Sequence, residues 1–167
     1  MRSKTVWAAC VALAVPLIAG CGGGGYKTQT VTVTERDTNV HGFVAHFGPP
    51  KAKLGPQGPQ NLVPGDTVTL ANDLLNSSKQ KVGETNGTCL TTRPGSFQTA
   101  TTSCSATATL NGGSLTLAAA GKVFAASFTG AIAGGTGKYA GAGGTFTIKQ
   151  SSSGPSQDTY HIQIPQK

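Results

Sequence analysis

Apolar and polar positions alternate in twos along most of this chain. Val31 and Val33 interleave with Thr30, Thr32 and Thr34; further on, Val68, Leu70, Asn72 and Leu74 share one side of a stretch whose other side is Thr67, Thr69, Ala71 and Asp73. A period of two is that of a strand with one buried face, and nowhere does a helical spacing of apolar residues persist for three turns. Asn72 falls among apolar neighbours, so it is expected to point into the core. Strands are predicted over 30–34, 40–47, 67–74, 81–90, 97–110, 114–119, 122–132, 144–150 and 159–164. Polar or glycine-bearing turns join them, among them Asn76 to Lys79 and Asn111 Gly112 Gly113. The 48–65 stretch holds five prolines and is expected to be loop or irregular edge. Eight or nine strands with short connections predict an all-β domain, an antiparallel barrel, because closure removes the exposed edges an open sheet would leave.

Before this pattern begins, Arg2 and Lys4 precede an uncharged apolar run from position 5 to 19. That run is shorter than the roughly 20 residues a membrane span needs and has the order of an export signal. Its end, Leu17 Ile18 Ala19 Gly20 Cys21, resembles the bacterial lipobox: small residues admit a peptidase, and the Cys21 thiol takes a diacylglycerol, with palmitate a typical chain. The expected organisation is a signal peptide at 1–20, a flexible acylated tether at 21–29 begun by Gly22 to Gly25, and one domain at 30–167. Such a lipoprotein is anchored by Cys21 to the cell membrane on its extracytoplasmic face.

Export changes the reading of the cysteines. Cys10 falls in the signal and Cys21 is the acylation site, leaving Cys89 and Cys104, for which an oxidising compartment predicts a disulfide. Closing that loop stabilises by roughly 3 kcal/mol in the chain-entropy model. The net charge of +7 includes Arg2 and Lys4, and the remaining lysines are scattered, so no nucleic-acid footprint is present.

The order Gly65 Asp66 x Val68 x x x Asn72 x Leu74, then Lys81 Val82 Gly83 x Thr85 x Gly87 x Cys89, then Ile132 x Gly134 Gly135 Thr136 Gly137 x Tyr139 x Gly141 Ala142 x Gly144 resembles the allene oxide cyclase barrel. The last segment also looks like the glycine-rich segment of dirigent proteins. The resemblance implies an eight-stranded antiparallel barrel, a homotrimer, and a small apolar ligand site at one end. The cyclase pocket uses a glutamate and an asparagine on the first strand, an asparagine on the strand after Gly Asp, and a cysteine. Asn72 and Cys89 match the last two; the first pair falls on Thr32 and Thr34, and a threonine cannot supply an anion against developing positive charge. The residues therefore lean away from plant-type cyclisation.

Other chemistry is sparse. Gly134 Gly135 Thr136 Gly137 Lys138 lacks the spacing and the following Ser or Thr of a phosphate-binding loop. His41 and His46 lie an odd number apart, His161 stands alone, and no metal site or cofactor is expected. Val82, Glu84, Asn86, Thr88 and Leu90 share a face; inside, Glu84 is a candidate acid, and outside it is simply solvated. Phe124, Ala126 and Phe128 read as one face of a central strand, where core and ligand pocket coincide. The expected function is binding of a small apolar or aromatic molecule. The alternatives are a cyclase- or dirigent-like isomerase using Asn72 and Glu84, and an interaction module with a filled lumen.

Overall fold

A computed structural model describes residues 25–37, 54–55, 58–59, 61–122, 124–151 and 155–166. Ten strands follow in chain order: β1 Tyr26–Asp37, β2 Leu54–Gly55, β3 Gly58–Pro59, β4 Thr67–Leu75, β5 Lys81–Arg93, β6 Thr101–Leu110, β7 Gly113–Gly121, β8 Ser127–Gly135, β9 Gly143–Lys149 and β10 Gln157–Pro165. Eight of them close a barrel in the order β1-β10-β9-β8-β7-β6-β5-β4, all pairs antiparallel, while β2 and β3 form a separate two-stranded ribbon. The expected eight-stranded barrel is present. Position 40–47, Cys21 and both His41 and His46 lie outside the described residues.

Three details differ from expectation. β1 begins at Tyr26, and Tyr26 to Gln29 pair with Pro165 to Ile162, so residues assigned to the tether belong to the wall. The 97–110 strand starts only at Thr101, after a turn in which Ala100 N–H donates to the Ser96 carbonyl. The 122–132 strand starts at Ser127, so Phe124 stands in a loop and Ala126 is exposed.

Up-and-down order gives the barrel two unlike ends. At one, the β4–β5 turn, the β6–β7 turn and the β8–β9 connection are short, and the chain enters at Tyr26 and leaves after Pro165. The other end carries the longer β1–β4, β5–β6, β7–β8 and β9–β10 connections. The glycine-rich segment belongs to the short-turn end. It folds into a 3-10 turn, Gly137–Tyr139, that sinks the Tyr139 ring 2 % exposed into the core. Gly137 has φ +59°, and a Cβ there would run into the Gly112 carbonyl, so only glycine fits. The motif is thus a plug.

Twelve buried residues, including Leu74, Leu110, Leu115, Ile132, Phe146 and Ile162, form the core around this plug. A second cluster, Leu62, Val68, Cys89, Ala100 and Phe124, lies toward the loop end. Phe124 stacks on Phe97 with ring centroids 4.0 Å apart, and Leu62 is held by reciprocal backbone hydrogen bonds with Gly95. The disulfide joins Cys89 to Cys104 at directly paired positions of β5 and β6, as expected. The Gly65 Asp66 pair is also structural: Gly65 has φ +96°, and the buried Asp66 carboxylate accepts from Val63 N–H at 2.8 Å, fixing the entry to β4.

The seam that closes the barrel is short. β1 meets β4 only through Thr34 to Asp37, opposite Leu75 to Asn72. On its outer side Asp73 accepts from Arg36 at 2.9 Å and from Lys81 at 2.6 Å, joining three strands. The Lys81 hydrogen bond first, then that of Arg36, hold the Asp73 carboxyl below its usual range.

Because Tyr139 fills the short-turn end, Tyr139→Ala is expected to lower the unfolding free energy by roughly 3–5 kcal/mol. Urea denaturation checks this; a loss below about 1 kcal/mol would show that the ring is not part of the core.

A buried carboxyl and phenol pair as candidate functional site

Alternation along each strand decides which side chains enter the lumen. On β1 these are Val31, Val33 and Glu35, with Thr32 exposed. On β10 they are Asp158, Tyr160 and Ile162; Asp158 and Tyr160 are both 0 % exposed. Following the register around the wall, Val33, Asp158, Ile148 and Phe128 are successive partners, as are Val31, Tyr160, Phe146 and Gly130. From the other side of the seam, Asn72, Thr85, Ala108 and Leu115 are successive partners, beside Glu35 opposite Leu74. Inward acids and polar groups therefore gather between the plugged core and the loop-end cluster. Phe128 and Ala119 pack against both clusters.

Tyr160 donates its hydroxyl to Asp158 Oδ2 at 2.9 Å. Asp158 Oδ1 is buried and meets no donor, while the Glu35 carboxyl acts on Asp158 both as a negative charge and through a hydrogen bond. Two carboxylates cannot hydrogen-bond to each other; one must carry a proton. The arrangement is satisfied when Asp158 carries the proton that it shares with Glu35. Burial first, then the Glu35 charge, push Asp158 up to about 8, against the opposing pull of the Tyr160 hydroxyl. Burial and then Asp158 also raise the Tyr160 phenol, which stays neutral. Thr85 reaches toward the same phenol, and its buried Oγ1 completes no hydrogen bond. The described Lys, Arg and His residues are all exposed.

The sequence candidates separate cleanly against this frame. Asn72 does face inward, half-buried, one strand from Thr85. Phe128 lines the same level, packed edge-on to Phe146 at 6.0 Å. Gly130 leaves the room for the Phe146 ring that a Cβ would take. Phe124 is buried toward the loop end, reached from a loop rather than a strand. Cys89 lies in the disulfide and is not a free thiol. Glu84 takes the outer of its two readings, with its side chain 49 % exposed and bonded to Lys81 and Asn86. It is not a buried acid. Thr32 is likewise outside, and the inward acid of β1 is Glu35, which the alignment of the first strand on Thr32 and Thr34 passed over. His161 is exposed and bonds the Thr30 hydroxyl at 3.2 Å. Among the described residues no three His, Cys, Asp or Glu come together as a metal site.

A closed barrel of this order with polar groups held inside its apolar lumen defines a class, and residues 49–164 match the model of the allene oxide cyclase barrel like domain. The chain belongs to that family. No curated protein matches the sequence. Among solved structures it is similar to a pyocyanin demethylase, with 25 % identity and a TM-score of 0.63, covering 80 % of this chain and 99 % of that one. A pterocarpan synthase dirigent protein superposes with TM-score 0.56 at 20 % identity, covering 87 % and 93 %. An exo-specific intermolecular Diels-Alderase gives 0.57 at 15 % identity, covering 82 % and 98 %. The last two share the fold.

An acid kept neutral in the folded chain makes stability depend on pH. The unfolded Asp158 ionises above its ordinary value of 3.8 and the folded one only near 8, so the unfolded state binds fewer protons in between. Stability is therefore expected to fall as pH rises from about 4 to 8. Asp158→Asn keeps both hydrogen bonds, donating to Glu35 and accepting from Tyr160. It should flatten that slope and be the more stable chain at pH 8. Urea midpoints across this range check it, and parallel curves for the two chains would refute a protonated Asp158.

Proposed function

We propose that the barrel takes a small, mainly apolar or aromatic molecule into the loop-end half of its lumen and exchanges a proton with it through Asp158. The observation that carries this is the fully buried Asp158 and Tyr160 pair, with Glu35 half-buried beside it, between two apolar clusters. Burying acids in this way costs stability, and the chemistry that makes use of it is general acid and base catalysis near neutral pH. In this reading Asp158 delivers the proton and Glu35 supports it as the neighbouring base. Asn72 hydrogen-bonds an acceptor on the ligand and Tyr160 holds Asp158 Oδ2, while Phe128, Ile148 and Phe124 give the apolar walls. Asn72, Phe128 and Ile148 face inward yet keep part of their surface uncovered, which supports an accessible lumen. The barrels named as a demethylase, a dirigent synthase and a Diels-Alderase fit a family that acts on such molecules.

Binding without turnover is the second reading, supported by the disulfide that removes Cys89, the match to the cyclase thiol, as a free group. Asp158→Asn separates the two. Native mass spectrometry with solvent extraction of the protein from its own membranes supplies the ligand, and pyocyanin is the first compound to try, given the 25 % identical neighbour. The acid-base reading expects Asp158→Asn to bind as before and to lose turnover by about 10²–10⁴-fold. A ligand returned unchanged by both chains would leave carriage as the function.

We also propose that the chain acts outside the cytoplasm as a lipoprotein anchored through Cys21, and that it assembles as a homotrimer. Labelling cells with an alkyne analogue of palmitate should tag the wild-type chain and not Cys21→Ser, which should leave the membrane fraction. A soluble, untagged wild-type chain would overturn the anchor.

A further inference from the structure

The end of the barrel nearest the tether has a charge pattern that neither the lumen nor the fold requires. Lys27 on β1, Lys79 in the β4–β5 turn and Lys138 in the β8–β9 connection all stand at the short-turn end, and all three are exposed. None of them pairs with a carboxylate among the described residues. The nearby acids Asp73 and Glu84 are engaged by Arg36, Lys81 and Asn86, and Lys138 lies over the Tyr139 ring at 4.9 Å. Tyr26 projects from the same end with 66 % of its surface exposed, the most exposed large apolar residue of the described chain.

Tether length turns this into a geometric statement. From Cys21 to Tyr26 is five residues, a span of at most roughly 18 Å when fully extended. If the acyl chains sit in a bilayer, the headgroups lie within that distance of Tyr26 and therefore of the short-turn end. Arg93, Lys122 and Lys149 give the loop end positive charge too, so charge alone does not choose an orientation; the tether does.

We propose that the short-turn end is a membrane-docking face, on which Lys27, Lys79 and Lys138 meet anionic lipid headgroups and Tyr26 lies at the interface, so that the loop end points away from the bilayer. A lysine held at an anionic surface favours the bound state by about fivefold, and an amphipathic aromatic ring favours the headgroup level. The proposal rests on acylation at Cys21.

The test uses the acylated chain purified in detergent and reconstituted into vesicles of phosphatidylcholine, with or without 30 % phosphatidylglycerol. Once residues 1–20 are removed the chain has no tryptophan, since Trp7 lies in that segment. Tyr26→Trp then reports on the short-turn end and Gln98→Trp on the loop end. With phosphatidylglycerol present, Tyr26→Trp fluorescence should shift to the blue and be quenched by lipids brominated near the headgroup. Gln98→Trp should stay open to aqueous iodide. Adding Lys27→Glu, Lys79→Glu and Lys138→Glu should return the Tyr26→Trp signal toward its detergent value. Acyl groups present by mass, with Tyr26→Trp as open to iodide as in detergent or Gln98→Trp quenched by lipid, would overturn docking and leave the anchor intact. A chain without acyl groups would overturn both.

Discussion

Every strand in this protein needs two neighbours, and the constraint on which all else depends is that β1 must find β4. Seven of the eight lateral contacts join strands close in sequence or long in register. The eighth is a four-residue seam across which a strand edge would otherwise lie open to water and to other chains. The Arg36, Asp73 and Lys81 ion pairs on its outer side hold it, and on its inner side the same four residues carry Glu35 into the lumen. Closure and chemistry share a segment, so a change that loosens the seam also moves the acid.

The interior is arranged in levels. Apolar packing around the Tyr139 plug gives a rigid floor, the loop-end cluster with its disulfide and stacked Phe97 and Phe124 gives a second apolar body, and the acids occupy the level between. A hydrophobic residue at 158 would pack there at no electrostatic cost. An aspartate that holds a proton beside a second carboxyl is a poor choice for stability alone.

Alternation made much of the barrel legible. The 67–74 stretch has a dry face of Val68, Leu70, Asn72 and Leu74 and a wet one, and the structure keeps that division as far as Ala71; Asp73, on the wet side, is buried by the ion pairs that join three strands. The 81–90 strand hides its faces, since Thr85, Gly87 and Cys89 on the inner side are no more hydrophobic as a set than Val82, Thr88 and Leu90 on the outer, and alternation alone leaves Glu84 open to either side. The acids of the site are hard to read for a related reason. Glu35 sits in Glu35 Arg36 Asp37, which reads as the polar end of a strand, and Asp158 adjoins a Ser and Gln stretch that reads as loop. The signal that could have found them is parity: Val31, Val33 and Glu35 share one face, as do Asp158, Tyr160 and Ile162. Phe124 reads as a strand residue because an apolar run crossing a turn looks like a strand.

The plug has a consequence for traffic. With Tyr139 seated at one end, a molecule taken up as proposed would have to enter and leave by the loop end. Arrival and departure would then compete for a single passage. At high concentrations of a small molecule, a queue at that opening, rather than the rate of any proton transfer within, would set the pace.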